Sequence, residues 1–178
     1  MTIQAGDHWF FTPNSGLRSL DELANVYHHS VGANGHLEVD FAIDRTGNVA
    51  PDHAALYAQL GAWITGCYGA PVATGALTPA ATTVTVALPA GSVDRVALSE
   101  DITGGQFVIA YEVDAMVGGA WVPFSKGTTI GAKKIDVAPG GAAAATALRL
   151  TIVAAFAPGA PAVGVEVFSG AGCDTSAY

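Results

Sequence analysis

Positive charge is scarce in this chain: Lys plus Arg number 7 against 15 Asp plus Glu, for a formal net charge of −8 at pH 7. A surface of that sign repels phosphate backbones and anionic lipid, so no nucleic-acid partner is expected, whereas neutral glycans remain compatible. No apolar run reaches the length of a membrane span, so no membrane insertion is expected. The opening Met1-Thr2-Ile3-Gln4-Ala5-Gly6-Asp7 lacks a basic start and an apolar core, and no signal peptide is read there. Glycine-rich phosphate loops, a Gly-x-Ser-x-Gly elbow and a Cys-x-x-Cys pair are all missing, and no cofactor is expected. The two cysteines, Cys67 and Cys173, either pair and tie the N-terminal part to the C-terminal one, or stand as unrelated thiols. Spacing alone leaves both possibilities open.

What the chain does have is 51% hydrophobic residues and a mean hydropathy of +0.40, spread among 22 Gly and 9 Pro. That mixture suits many short strands joined by tight turns. At 178 residues it is long enough for one domain, or one domain with an appendage.

The organising stretch is residues 31–47. Leu37, Val39, Phe41 and Ile43 alternate there with Glu38, Asp40 and Ala42, the period of a half-buried strand, and Asp44-Arg45-Thr46-Gly47 supplies turn chemistry. A helix is expected on either side. Ser19-Leu20-Asp21-Glu22 fits a capping box, followed by Leu20, Leu23 and Tyr27 on one face with Val26 beside them, and Gly32 is placed to end the helix. Pro51 fits a first helical position, Leu56, Leu60, Trp63 and Cys67 recur at helical spacing, and Gly66, Gly69 and Pro71 stop the run. Residues 70–79 read as a linker of small residues.

From about Ala81 the period becomes two. Strands are expected at 83–88, 93–98, 107–117, 120–125, 128–137, 148–154 and 163–168, with Gly118-Gly119 as a two-residue hairpin turn. Phe107, Ile109, Tyr111, Val113 and Ala115 form one expected face, and Leu148, Leu150 and Ile152 another. Residues 142–145 read as a low-complexity loop. The expected fold is therefore α+β: a helix-strand-helix piece over residues 1–70, and a mostly antiparallel β-sandwich, jelly-roll or galactose-binding-like, over 71–178.

Two groups of residues carry a family resemblance. Residues 30–47 (SVGANGHLEVDFAIDRTG), Pro51 and the helix ending Leu60-Gly61-Ala62-Trp63-Ile64 resemble the end of the catalytic barrel of α-L-fucosidases, glycoside hydrolase family 29. Arg95-Val96-Ala97-Leu98-Ser99-Glu100-Asp101-Ile102, Gly105-Gln106 and Gly127-Thr128-Thr129-Ile130-Gly131-Ala132-Lys133-Lys134-Ile135 are similar to the C-terminal β-sandwich of the same enzymes. The matches occur in family order and span most of the chain. An Asn commonly stands in the family where this chain has Asp40.

The resemblance implies retaining hydrolysis of terminal α-L-fucose, fucosylated glycans as partners, and a secreted, lysosomal or extracellular setting. It places aromatic side chains of the fucose pocket at Trp9 and Phe10, with Phe11 beside them, since aromatic faces suit the apolar face and methyl group of fucose. It also implies that the nucleophile and the acid/base lie on earlier barrel strands, so no catalytic residue is assigned here. Glu38 and Asp40 share a strand face about 7 Å apart, but they read as polar residues facing neighbouring barrel strands rather than as a catalytic pair.

Trp121 is a second candidate sugar platform, on the sandwich. His28 and His29 point about 100° apart on a helix and do not share a metal ion, so a surface or capping role is expected and no metal site is assigned. His8 and His36 read as structural residues. Of Lys133 and Lys134, on opposite strand faces, one is expected in solvent.

Two functions follow. One is the C-terminal portion of a fucosidase-like hydrolase, inactive alone, with the remaining barrel chain or a homo-oligomer as partner. The other is a non-catalytic glycan-binding or structural module. Burial of Leu37, Val39, Phe41, Leu56, Leu60 and Trp63 against another polypeptide favours the first; their satisfaction within the chain, or by a homodimer, favours the second.

Overall fold

The computed structural model describes residues 1–157, 159–170 and 173. Helix α1 (Leu20–Ser30) starts on Ser19, whose hydroxyl accepts the Glu22 backbone N–H at 3.1 Å. The reciprocal half of the expected capping box is absent, because the Glu22 carboxylate turns to Arg18 instead. Gly32 closes the helix, its N–H donating to the Tyr27 carbonyl at 3.1 Å. Helix α2 (Pro51–Tyr68) has Pro51 in its first turn, where no N–H partner is required, and Gly69 as its cap.

The stretch between the helices is extended but is not a regular strand. It is held by isolated bridges, Thr2 with Asp40 in parallel and Ile43 with Val49, and by the Ile3 N–H on the Asp40 carbonyl. The expected alternation holds only in part: Leu37, Val39 and Phe41 are half-buried, Ala42 is buried, and Ile43 is exposed. A strand needs a ladder to fix its pleat, and among the described residues this stretch makes only isolated bridges.

Six strands follow: β1 (Ala73–Leu77), β2 (Thr83–Glu100), β3 (Val108–Val117), β4 (Ala120–Gly127), β5 (Lys134–Ala155) and β6 (Val163–Phe168). They form an antiparallel sheet in the order β1-β6-β2-β5-β3-β4. Two strands are long and bent. The β2–β5 register slips between Ala87 and Arg95, and on either side of that bend opposite halves of the two strands pair. The ribbon thereby folds onto itself, giving the two layers of a sandwich. The layers touch: a Cβ on Gly75 of β1 would lie 2.4 Å from Val86 Cγ2 of β2, although no ladder joins these two strands. Between the layers lies the main core, with Leu77, Val86, Val96, Leu98, Tyr111, Val113, Leu148, Leu150, Val165 and Val167 buried.

Several expectations change. Residues 73–77 form β1 rather than linker, the segments 83–88 and 93–98 are one strand, and 142–145 lies within β5 rather than in a loop. The first half of 128–137 is turn, since β5 begins at Lys134. On β3 the register slips around Ala110, so Val108 is buried and Ile109 exposed, the reverse of the expected face. The Gly118-Gly119 hairpin is as expected, with φ of 60° and 84°, values of a type I′ turn.

The helices pack on one another through Ile3, Leu23, Leu56 and Leu60. They join the sandwich through a further cluster of Tyr27, Ala97, Ile135 and Phe168, with Leu37, Trp63 and Tyr68 against it. A disulfide between Cys67 and Cys173, Cα atoms 5.6 Å apart, ties the end of α2 to the segment after β6. Beside it the buried Arg95 guanidinium donates to the carbonyls of Cys67 and Gly170, both at 3.4 Å, and pairs with Asp94 at 2.7 Å.

Candidate functional site

The aromatic loop before α1 is built around one buried amide. Gln4 is fully buried, and its Nε2 donates to the carbonyls of His8 at 3.3 Å and Phe10 at 3.1 Å. Its Oε1 accepts the Thr12 N–H at 3.0 Å and the Ser15 hydroxyl at 3.1 Å. A primary amide has two donor hydrogens and two acceptor lone pairs, and this one uses all four on a single loop. The clamp holds the backbone while the rings of Trp9 and Phe10 project outward, 71% and 81% exposed. Phe11 turns inward, its ring 6.0 Å from that of His53.

Behind the loop lies a polar cavity of about 240 Å³, bounded by Phe11, Thr12, Asn14, Ser15, Asp52 and His53 among others. His53 is buried, and no described residue hydrogen-bonds its Nδ1. Exposed aromatic faces near hydroxyl, amide, imidazole and carboxylate groups suit a polyol: the rings take its apolar face and the polar groups its hydroxyls. Sequence reasoning did not single out Gln4 or His53. His53 at the third position of α2 carried no spacing signal, and Gln4 differs from any surface glutamine only through its contacts.

Glu38 is exposed, and Asp40 lies 3.9 Å from the N-terminal ammonium, so each has an ordinary structural setting. Among the described residues no group of three or more His, Cys, Asp or Glu is arranged to hold a metal ion.

Trp121 lies on the β3–β4 hairpin, in a different part of the fold from Trp9 and Phe10. The Arg149 guanidinium sits 4.4 Å from its ring centroid, and Arg149 is itself held by Asp114 at 2.8 Å. One ring face is therefore occupied by a cation.

His28 departs from the expected surface role. It is buried among Tyr27, Trp63 and Tyr68, with Nε2 2.5 Å from the Tyr68 hydroxyl. Burial, then the nearby Arg95 and His29, lower its pKa to about 4, so it is neutral at physiological pH. Burial likewise pushes the Tyr68 phenol above its ordinary range. His29 is exposed, with Nδ1 3.0 Å from the Asn25 carbonyl.

No family model matches the chain, and no curated protein matches it. Solved structures do. A protein assigned by name as an α-L-fucosidase, from Bacteroides thetaiotaomicron, superposes with a TM-score of 0.87 at 26% identity, over 95% of this chain and 39% of that one. Another so assigned, from Bacteroides ovatus, gives 0.77 at 27% identity, over 94% of this chain and 29% of that one. A Ruminococcus gnavus family 29 fucosidase, solved with fucose, shares the fold at 0.83 and 19% identity, over 97% of this chain and 41% of that one. The chain thus spans less than half the length of each of these structures. Over that span it has the fold of the C-terminal part of glycoside hydrolase family 29 α-L-fucosidases.

Proposed function

We propose that this chain is the C-terminal portion of an α-L-fucosidase-like hydrolase and supplies one wall of its fucose pocket through Trp9 and Phe10. The observation that carries this reading is the superposition over 95% of the chain at 26% identity, with the two rings held clear of the core by Gln4. In such an enzyme a retaining reaction uses two carboxyl groups roughly 5–5.5 Å apart, one as nucleophile and one as acid/base. No residue of this chain takes either role on this reading, so the chain alone does not hydrolyse fucosides. Its partner is the remaining barrel, on the same precursor or on another chain, and its ligand is a fucosylated glycan. The Cys67–Cys173 disulfide supports an extracellular or lysosomal setting, because such bonds persist where the compartment is oxidising.

A second reading, a free-standing glycan-binding module, is favoured by one observation. Leu56 and Leu60 are buried within this chain, and Leu37, Val39, Phe41 and Trp63 are half-covered by it.

Native mass spectrometry of the protein from its source, paired with a chromogenic α-L-fucoside assay, separates the two. A larger species that hydrolyses the fucoside supports the first. A lone 17.9 kDa species without hydrolysis that binds fucosylated oligosaccharide, and loses binding in Trp9→Ala, supports the second. A lone species that neither hydrolyses nor binds overturns both.

A further inference from the structure

The few cations of this acidic chain are unevenly placed. Two of its three lysines, Lys126 and Lys134, line one cleft with His29 and the neutral His28 where the end of α1 faces β4 and the start of β5, while Lys133 lies over the Tyr68 ring. A cleft of about 420 Å³ at this junction is lined by His28, His29, Ser125, Lys126, Lys134 and Asp136, among others. A smaller one of about 170 Å³ shares Lys126 and Lys134 with it and adds Asn34 and Thr128.

Lys126 is exposed and has no ion-pair partner among the described residues. Lys134 has one carboxylate near it, Asp136 at 3.5 Å. That carboxylate is already engaged by the hydroxyls of Tyr111 at 2.8 Å and Ser125 at 2.7 Å, which spread its charge. Lys133 leans over the Tyr68 ring, 5.9 Å from its centroid. The partial negative charge at the end of α1 opposes an anion here, but it is about half a unit against the full charges of the lysines. In a chain of net charge −8, the cleft holds two lysines against the single carboxylate of Asp136, with Glu112 across the β3–β4 ladder from Lys126.

We propose that this cleft binds a sulfate or carboxylate group carried on a glycan, at a site separate from the aromatic loop. The geometry of the lysines supplies the charge recognition; the choice of a glycan as carrier rests on the hydrolase reading above. A long polyphosphate is disfavoured because a chain of net charge −8 repels it beyond the few lysines here. The cavity has the size of an ordinary small-ligand site.

The test uses the full chain and isothermal titration calorimetry with three probes: a chondroitin sulfate tetrasaccharide, its desulfated counterpart, and neutral chitotetraose. A single-stranded DNA decamer serves as polyanion control. The expected result is binding of at least one charged saccharide, weakened by salt, with no heat from chitotetraose or DNA. Tighter binding of the sulfated probe assigns the sulfate, and equal binding of the first two assigns the uronate carboxylate. K126Q/K134Q is expected to weaken binding at least tenfold, while Arg45→Gln, in the exposed turn after Asp44, leaves it unchanged. Lys126→Gln alone replaces the double variant if the latter does not fold. No heat from either charged saccharide, binding of chitotetraose or DNA as well as the charged saccharides, no effect of the lysine variants, or equal loss in Arg45→Gln would each overturn the proposal. None of these probes contains fucose, so their outcome and that of the fucoside experiment fail independently.

Discussion

Nε2 of His28 lies 2.5 Å from the hydroxyl of Tyr68, which joins the last turns of α1 and α2 inside an aromatic cluster that also touches the sandwich. The imidazole there is neutral, with its pKa lowered to about 4 from an ordinary 6.5. The sign follows from proton binding. Between those two values the unfolded chain takes up a proton on His28 and the folded chain does not, so stability is full above about pH 6.5 and falls as the pH drops toward 4. With solvent screening allowed for, the loss is about 1–2 kcal/mol. Urea unfolding at pH 7 and pH 5 should show a smaller pH-dependent loss in His28→Phe than in the native chain. An equal loss in both would show that other groups carry the acid sensitivity.

The disulfide offers a second test. Cys67 and Cys173 are 106 residues apart, so the bond closes a long loop in the unfolded chain and removes much of its entropy. Replacing both cysteines by serine, or reducing the bond, should lower stability by about 2–4 kcal/mol in denaturant titrations. Arg95 and Asp94 also anchor the segment after β6 to the end of α2, so the variant is expected to fold. A change below about 0.5 kcal/mol would mean these contacts suffice without the bond.

What was legible in the sequence was local. The helix stripes, the Ser19 cap, Pro51 and the Gly118-Gly119 turn are each set within a few residues, and the structure keeps them. What was not legible depends on distant partners. Ala73-Thr74-Gly75-Ala76-Leu77 has too few large side chains to signal a strand, and becomes one because β6 pairs with it. The slip around Ala110, which exchanges Val108 for Ile109 in the core, is set by the β3–β5 register. In the candidate site, Trp9 and Phe10 were legible as an aromatic run, but the amide that aims them was not: four partners of Gln4 are spread over residues 8–15.

Gln4→Ala tests that clamp directly. It leaves the His8 carbonyl and the Thr12 N–H without their Gln4 partner and the Phe10 carbonyl with only the Thr12 hydroxyl at 3.3 Å, at an expected cost of about 1–3 kcal/mol. The loop should also loosen, so fluorescence anisotropy of Trp9, measured with Trp63 and Trp121 replaced by Phe, should fall relative to the same background with Gln4. Unchanged anisotropy and stability would show that the loop is held by its own turns.

The close approach of Gly75 to Val86 makes the last prediction. A Cβ at position 75 would stand 2.4 Å from Val86 Cγ2, well inside van der Waals contact, so Gly75→Ala forces the two layers apart or Val86 from its rotamer. Val86 is buried in the main core, so neither route is free, and the expected cost is about 1–3 kcal/mol. Val86→Ala alone should also destabilise, by removing buried methyl groups. The double variant should be more stable than the sum of the two losses allows, because the new methyl enters the space the old ones leave. A double-mutant cycle by urea unfolding reads that coupling, and a value within about 0.5 kcal/mol of additivity would mean that β1 does not pack against the first half of β2.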